Sequence, residues 1–186
     1  ILSSKVYDLA EETPLSPARL LSQRFGAQVY LKREDLQSIF SFKLRGAYNR
    51  MVHIDSNQLE KGVVTASAGN HAQGVAVAAD KLKVKATVVM GLNTPAIKVE
   101  SVKNFGAKVI LHGDSYDEAA EFAKNLAESE GSTYIHPYDD PLVIAGQGTV
   151  GMEIANQHTG HIDAIFVPVG GGGLIAGIAC FFKYLR

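Results

Sequence analysis

The residue with the clearest chemical potential is Lys43, within the stretch 41–47 (SFKLRGA). Apolar residues recur at helical spacing from Ser41 to about Ile54, which places Lys43 at the start of a predicted helix. The positive end of a helix disfavours another cation, which lowers the pKa of an amine and makes it a better nucleophile. Taken alone, an exposed surface lysine explains the residue better.

A second candidate is the run of four glycines at 170–173, between a predicted strand and a predicted helix. Without side chains, their backbone N–H groups can converge on an anion at the helix start, and phosphate is the expected anion. Gly171, Gly173 and Ala176 also fit the GxGxxA pattern of dinucleotide sites. The acidic residue that such a site requires would lie beyond Arg186. A tight turn without a ligand is the other alternative, which the backbone entropy of four glycines disfavours.

The third candidate is the turn 67–71 (SAGNH), again between a strand and a helix. Ser67 and Asn70 could cap the helix, and its free N–H groups could hold a carboxylate. From this turn alone, simple capping and an anion site are equally good explanations. His71 by itself is more often a helix-start histidine than a catalyst.

The elements that must position these stretches alternate between strand and helix. The predicted strands are 28–33, 62–66, 85–90, 107–111, 133–136 and 163–169, and the predicted helices are 41–54, 70–82, 97–105, 115–130, 150–157 and 174 onward. Short, continuously apolar strands in this arrangement are typical of parallel sheets covered on both faces by helices.

Composition excludes several classes of protein. The chain has 186 residues, 46% of them hydrophobic, which excludes disorder. A net charge of −1 does not provide the positive charge that binding of nucleic acid requires. The sequence also contains no uncharged apolar run that is long enough to predict a membrane span. The single cysteine, Cys180, excludes an internal disulfide and is expected in the core of the last helix. No histidine pair has the spacing of a metal site on a helix, so no metal is predicted.

Together, the three stretches occur in the order seen in fold-type II pyridoxal-phosphate enzymes, which this sequence resembles. The flanking segments 13–15 (TPL), 31–35 (LKRED) and 145–149 (AGQGT) are similar to those of biosynthetic threonine dehydratases. The resemblance runs over essentially the whole chain. It implies an α/β fold like that of the tryptophan synthase β subunit, with two open, mostly parallel sheets and helices on both faces. It also implies that 1–56 and 144–186 belong to a large domain and 57–143 to a small one.

The resemblance implies a role for each candidate residue. Lys43 would bind pyridoxal 5'-phosphate covalently, Phe42 would pack near it, and Asn70 would hydrogen-bond its phenolic oxygen. The backbone that would hold the cofactor phosphate is that of Gly170, Gly171, Gly172, Gly173 and Leu174. The substrate carboxylate would be held by Ser67, Ala68, Gly69, Asn70 and His71.

The implied reaction is the β-elimination of L-threonine to 2-oxobutanoate and ammonia in isoleucine biosynthesis, with L-serine as a secondary substrate. A catabolic serine/threonine dehydratase and a serine racemase are the related alternatives. Serine racemases carry a serine at the position of Ala68, and alanine has no proton to donate, so dehydration without much racemisation is expected.

The resemblance also bears on the rest of the protein. The family's catalytic domain continues beyond Arg186, and biosynthetic members add a regulatory domain that binds isoleucine allosterically. The sequence therefore looks like the N-terminal part of a catalytic domain, and a phosphate- or partner-binding fragment without activity is the alternative from another class. A homodimer or homotetramer is expected for the whole protein, in the cytoplasm of a bacterium or the plastid stroma of a plant.

Overall fold

A computed structural model describes residues 1–185 of the chain. Its helices are α1 (Arg19–Phe25), α2 (Lys43–Met51), α3 (Ser56–Leu59), α4 (Asn70–Leu82), α5 (Ala96–Lys103), α6 (Tyr116–Glu130), α7 (Pro141–Gln157) and α8 (Gly173–Leu185). Its strands are β1 (Leu15–Pro17), β2 (Tyr30–Lys32), β3 (Val63–Ala66), β4 (Ala86–Met90), β5 (Lys108–Leu111) and β6 (Thr133–Tyr134). None of these helices is long and apolar enough to cross a membrane.

The predicted parallel sheet is confirmed in four strands, in the order β5-β4-β3-β6. Alternate residues of its central strands face opposite sides, as the pleat requires. Val63 and Val88 join a core built with α4 and α5, whereas Val64 and Val89 join a second core built with α6. Burial of both faces explains why these strands are continuously apolar.

Glycines allow α2, α7 and α8 to cross closely. A Cβ on Gly146 would lie 2.6 Å from the carbonyl oxygen of Arg45, and one on Gly177 would lie 2.6 Å from the amide nitrogen of Gly148. Gly146 and Gly148 belong to the segment 145–149, one of the segments that resemble the family. These glycines therefore serve the close packing of helices.

Three predictions about the second half of the chain are wrong. The segment 163–169 forms no strand and is mostly exposed, with Phe166 95% exposed, because no strand in the described residues pairs with it. Helix α7 begins at Pro141 instead of residue 150, since Asp140 caps it and proline suits its first turn. Cys180 is exposed instead of buried.

The second predicted sheet is present as one antiparallel pair, in which β1 runs opposite to β2. The strand predicted at 28–33 is therefore confirmed over Tyr30–Lys32. The division into parts of two domains stays a prediction, and its last residue, Arg186, lies outside the described residues.

Candidate active site

Lys43 is the first residue of α2, and its side chain is partly buried. Its amine donates a hydrogen bond to the carbonyl oxygen of Pro137 over 2.7 Å and lies 5.6 Å from the centre of the Phe42 ring. Burial lowers the pKa of this amine. No carboxylate within residues 1–185 pairs with it. Lys43 is thus not a solvated surface lysine, and its environment favours a reactive amine.

The start of α4 packs directly against Lys43. A Cβ on Gly74 would lie 3.1 Å from the carbonyl oxygen of Lys43, so glycine permits this approach. Of the two explanations that the sequence left open for this turn, capping of α4 by Ser67 or Asn70 is not what the structure shows. No side chain caps this helix, and the Ser67 hydroxyl instead accepts a hydrogen bond from the Gly69 amide over 3.2 Å. The N–H groups of the first turn therefore stay available for an anion.

The glycine run ends on the first residue of α8, Gly173. Gly172 has a φ of 89°, a backbone conformation that favours glycine. A Cβ on Gly171 would lie 2.2 Å from the ring of Tyr138, and one on Gly173 would lie 2.9 Å from the carbonyl oxygen of Tyr138. The bend is thus shaped by contact with Tyr138 and leads into a helix start, where main-chain N–H groups can bind an anion.

The segment 135–139 connects the three stretches. Its Pro137 carbonyl binds the Lys43 amine, and the next residue, Tyr138, packs on the glycine bend. Its Ile135 carbonyl lies 3.2 Å from Nε2 of His71, near the start of α4. Phe42 and Leu174 meet in one further apolar cluster. Gly170, by contrast with Gly171 and Gly173, lies next to open space, because a Cβ there would meet nothing within 4 Å.

Sequence reasoning assigned no role to the segment 135–139. The available signal was its position directly after a strand of the parallel sheet, because ligands bind at the carboxyl ends of such strands. A cavity of about 180 Å³ lies at the same edge of the sheet. Among its lining residues are Ser67, Ala68, Asn93, Thr94 and Tyr116.

A buried ion network holds α2 in place. The guanidinium of Arg45 is fully buried and pairs with Glu153 of α7 and, over 2.8 Å, with Glu34. Lys32 also pairs with Glu153, so two cations balance two carboxylates. The segment 31–35 of the family resemblance therefore supplies structural partners for α2, the helix that carries Lys43.

Comparison with known proteins identifies the family. The model of the family described as pyridoxal-phosphate dependent enzyme matches residues 6–186. The chain belongs to this family. This agrees with the resemblance found in the sequence.

Individual members of the family are also similar to this chain. The biosynthetic, chloroplastic threonine dehydratase 1 of Solanum lycopersicum is 64% identical over 98% of the chain and 30% of its own length. A biosynthetic L-threonine dehydratase of Burkholderia multivorans is 56% identical over 100% of the chain and 37% of its own length. The chain thus spans about a third of the curated relatives that it matches.

Solved structures in the family have the same fold. The processed form of threonine deaminase isoform 2 from Solanum lycopersicum matches with a TM-score of 0.96 and 55% identity, over 99% of this chain and 50% of that one. Maize serine racemase matches with a TM-score of 0.93 and 38% identity, over 97% and 55% of the two chains. The predicted α/β fold of fold-type II pyridoxal-phosphate enzymes is thereby confirmed.

The residues of this family member fit the cofactor that the family name implies. A partly buried amine of lowered pKa suits attachment to an aldehyde, and a glycine bend that leads into the start of a helix suits a phosphate. Tyr138 brings that bend next to the carbonyl that holds the amine. Within residues 1–185, no three His, Cys, Asp or Glu side chains are grouped so that they could hold a metal ion.

Proposed function

We propose that the protein of which this chain is part deaminates L-threonine to 2-oxobutanoate and ammonia by β-elimination, with L-serine as a secondary substrate. The observation that carries the proposal is the junction at 135–139, where the Pro137 carbonyl binds the Lys43 amine and Tyr138 packs on Gly171. The names of the relatives supply the substrate, because those at 54–64% identity are called threonine dehydratases.

Binding is assigned to two main-chain regions and two side chains. The N–H groups at Gly170, Gly171, Gly172, Gly173 and Leu174 hold the cofactor phosphate. The uncapped first turn of α4, with Ser67, Ala68, Gly69, Asn70 and His71, holds the substrate carboxylate. Phe42 supports the cofactor from the cluster it shares with Leu174, and the exposed Asn70 side chain is free to bond the cofactor's phenolic oxygen.

Proton transfer is assigned to Lys43. When bound, pyridoxal phosphate supplies an electron sink for the carbanion formed at Cα of the substrate. Nζ of Lys43 would hold the cofactor through its aldehyde and, when the substrate amine holds the cofactor instead, would accept the proton from Cα. Partial burial lowers the pKa of Nζ, so that more of it is neutral and able to accept this proton near neutral pH.

Racemisation of serine is the competing reaction, since maize serine racemase has the same fold. Ala68 lies in the lining of the cavity beside Ser67. Its methyl group cannot donate a proton to the opposite face of Cα, which supports elimination over racemisation. Incubation of the whole protein with L-serine should yield pyruvate and ammonia, and substantial D-serine would contradict this assignment.

Further properties of the whole protein are proposed from the resemblance and the relatives. They are a homodimer or homotetramer, allosteric inhibition by isoleucine, and a role in branched-chain amino acid biosynthesis. Of the relatives named above, one is called chloroplastic and another is bacterial, so we propose the plastid stroma for a plant source and the cytoplasm for a bacterial one.

The experiment is an assay of 2-oxobutanoate from L-threonine with the whole protein. Wild type and Lys98→Ala should be equally active, because Lys98 is exposed on α5, whereas Lys43→Ala should retain no measurable turnover. Full activity of Lys43→Ala would contradict the role of Lys43. Absence of product with wild type would instead favour a phosphate- or partner-binding protein without this activity.

A further inference from the structure

The imidazole of His71 is buried, and the proposed chemistry does not use it. Its Nε2 atom lies 3.2 Å from the carbonyl oxygen of Ile135, while Nδ1 is buried without a hydrogen-bond partner in the described residues. A carbonyl oxygen can only accept, so Nε2 must carry the hydrogen. The proposed carboxylate site needs only main-chain N–H groups here, which leaves the ring without an assigned role.

The ring is neutral at every pH at which the protein is expected to work. Burial, together with the nearby charge of Lys43, lowers the pKa of His71 to about 3. A second proton would place an unpaired N–H group at Nδ1 close to another cation. His71 therefore acts as a fixed, uncharged donor toward Ile135.

The peptide groups of Ile135 are fixed on several sides. Its carbonyl oxygen also accepts a hydrogen bond from the Thr65 hydroxyl over 2.8 Å, and its amide donates to the carbonyl of Val64 over 2.8 Å. Two of these three bonds come from strand β3 and the third comes from His71 on α4. The ring thus joins the start of α4 to the segment that follows β6.

The residues after Ile135 form a closed turn. Nδ1 of His136 accepts hydrogen bonds from the amides of Asp139 over 2.8 Å and Tyr138 over 3.3 Å. Between these anchors, the carbonyl of Pro137 points to Nζ of Lys43 at 2.7 Å. The acceptor of the lysine amine is therefore preorganised by bonds on both sides of it.

We infer that His71 is a positioning residue, which holds the turn 135–139 so that the Pro137 carbonyl serves as the resting acceptor of the Lys43 amine before the cofactor binds. The inference rests on the proposed function and extends it to the cofactor-free protein. When Nζ of Lys43 is hydrogen-bonded to the Pro137 carbonyl, it lies beside Tyr138, the residue that packs on the glycine bend. Holding it there reduces the loss of side-chain entropy when the cofactor is captured.

Two substitutions separate this role from simple filling of space. The amide nitrogen of Gln reaches about as far as Nε2 of histidine, so His71→Gln can keep the bond to Ile135. The amide of Asn is shorter and cannot reach this carbonyl without a backbone shift. Both variants remove the ring, so the loss of its packing is common to them, and they differ by one methylene group and by the bond to Ile135.

The experiment uses the whole protein freed of cofactor. Hydrogen exchange at the amides of Tyr138 and Asp139 should be faster in His71→Asn than in wild type, and His71→Gln should resemble wild type. Dissociation constants for pyridoxal phosphate, followed by absorbance, should rise about fivefold in His71→Asn, or about 1 kcal/mol, and less than twofold in His71→Gln.

The two readouts keep the inference separate from the proposed function. Equal exchange rates and equal affinities in the two variants would overturn the inference, even if wild type binds the cofactor well. If wild type captures no cofactor, the proposed function fails, and the exchange rates at Tyr138 and Asp139 alone decide whether His71 holds the turn.

Discussion

The ring of Tyr138 occupies the space in which a side chain on Gly171 would lie, because a Cβ at that position would be 2.2 Å from the ring. Gly171→Ala should therefore displace Tyr138 and distort the phosphate site. We expect a dissociation constant for pyridoxal phosphate at least about tenfold higher, or about 1.4 kcal/mol, measured by absorbance titration of the whole protein.

Gly170→Ala is the matched control for this change. A Cβ at residue 170 would meet no atom within 4 Å, so its affinity for the cofactor should stay within about twofold of wild type, well below 1 kcal/mol. Equal losses in the two variants would show that the contact with Tyr138 does not shape the site.

The ion network around Arg45 predicts a large effect on stability. Arg45→Met would leave Glu34 without its buried cation and Glu153 with Lys32 alone, which costs about 3–5 kcal/mol of unfolding free energy. Arg33→Met removes an exposed pair with Asp35 and should cost less than about 1 kcal/mol. Urea unfolding of the two variants measures the difference, and similar midpoints would refute a structural role for the network.

Phe40 has a φ of 56° and a side chain that is 79% exposed. A non-glycine residue in this left-handed region lowers the unfolding free energy by roughly 1–2 kcal/mol. Glycine would remove this strain, but its greater entropy in the unfolded chain offsets part of the gain. Phe40→Gly should therefore raise the unfolding free energy by up to about 1 kcal/mol. Phe40→Ala removes the same exposed ring but keeps the strain, so its stability should stay near wild type. A loss of stability in Phe40→Gly would argue against strain at this position.

Buried His71 predicts a pH dependence of stability. Its pKa falls from 6.5 to about 3 on folding, so between these values the unfolded chain binds more protons than the folded one. The stability contributed by the neutral ring is present above pH 6.5 and is lost as the pH falls toward 3. The slope for one group reaches at most about 1.4 kcal/mol per pH unit.

His71→Gln isolates this effect from the other titrating groups. The variant should lose less unfolding free energy than wild type between pH 6.5 and pH 4, as measured by denaturant titration at each pH. Parallel pH profiles for the two proteins would mean that His71 keeps its ordinary pKa in the folded state.

Helices with local signals at both ends could be predicted from the sequence. Helix α4 has the predicted bounds, and α6 fills the predicted range 115–130 except that Ser115 is its cap, with Gly131 following its last residue. The start of α7, predicted at residue 150, was missed although Asp140 and Pro141 carry the signal of a helix start. Local chemistry therefore explains these successes and also this error, which a search for capping residues would have avoided.

Contacts between distant parts of the chain could not be predicted from local patterns. The segment 163–169 has the composition of a buried strand, but a strand also needs a partner, and none of the described residues supplies one. Likewise, the Pro137 carbonyl accepts a hydrogen bond from Lys43, 94 residues away in the sequence. Every residue has a backbone carbonyl, so the residue type does not indicate which one acts as an acceptor. The motif order therefore predicted the candidate residues, whereas the turn that connects them became visible only in the structure.

Attachment of pyridoxal phosphate to Nζ of Lys43, beside the glycine bend, can be tested by mass spectrometry of peptides from the whole protein after incubation with the cofactor and reduction with borohydride. We expect a phosphopyridoxyl group on the peptide that contains Lys43 and none on the peptide that contains Lys98. Absence of the label from Lys43, or its presence only on another lysine, would rule out the proposed role of Lys43.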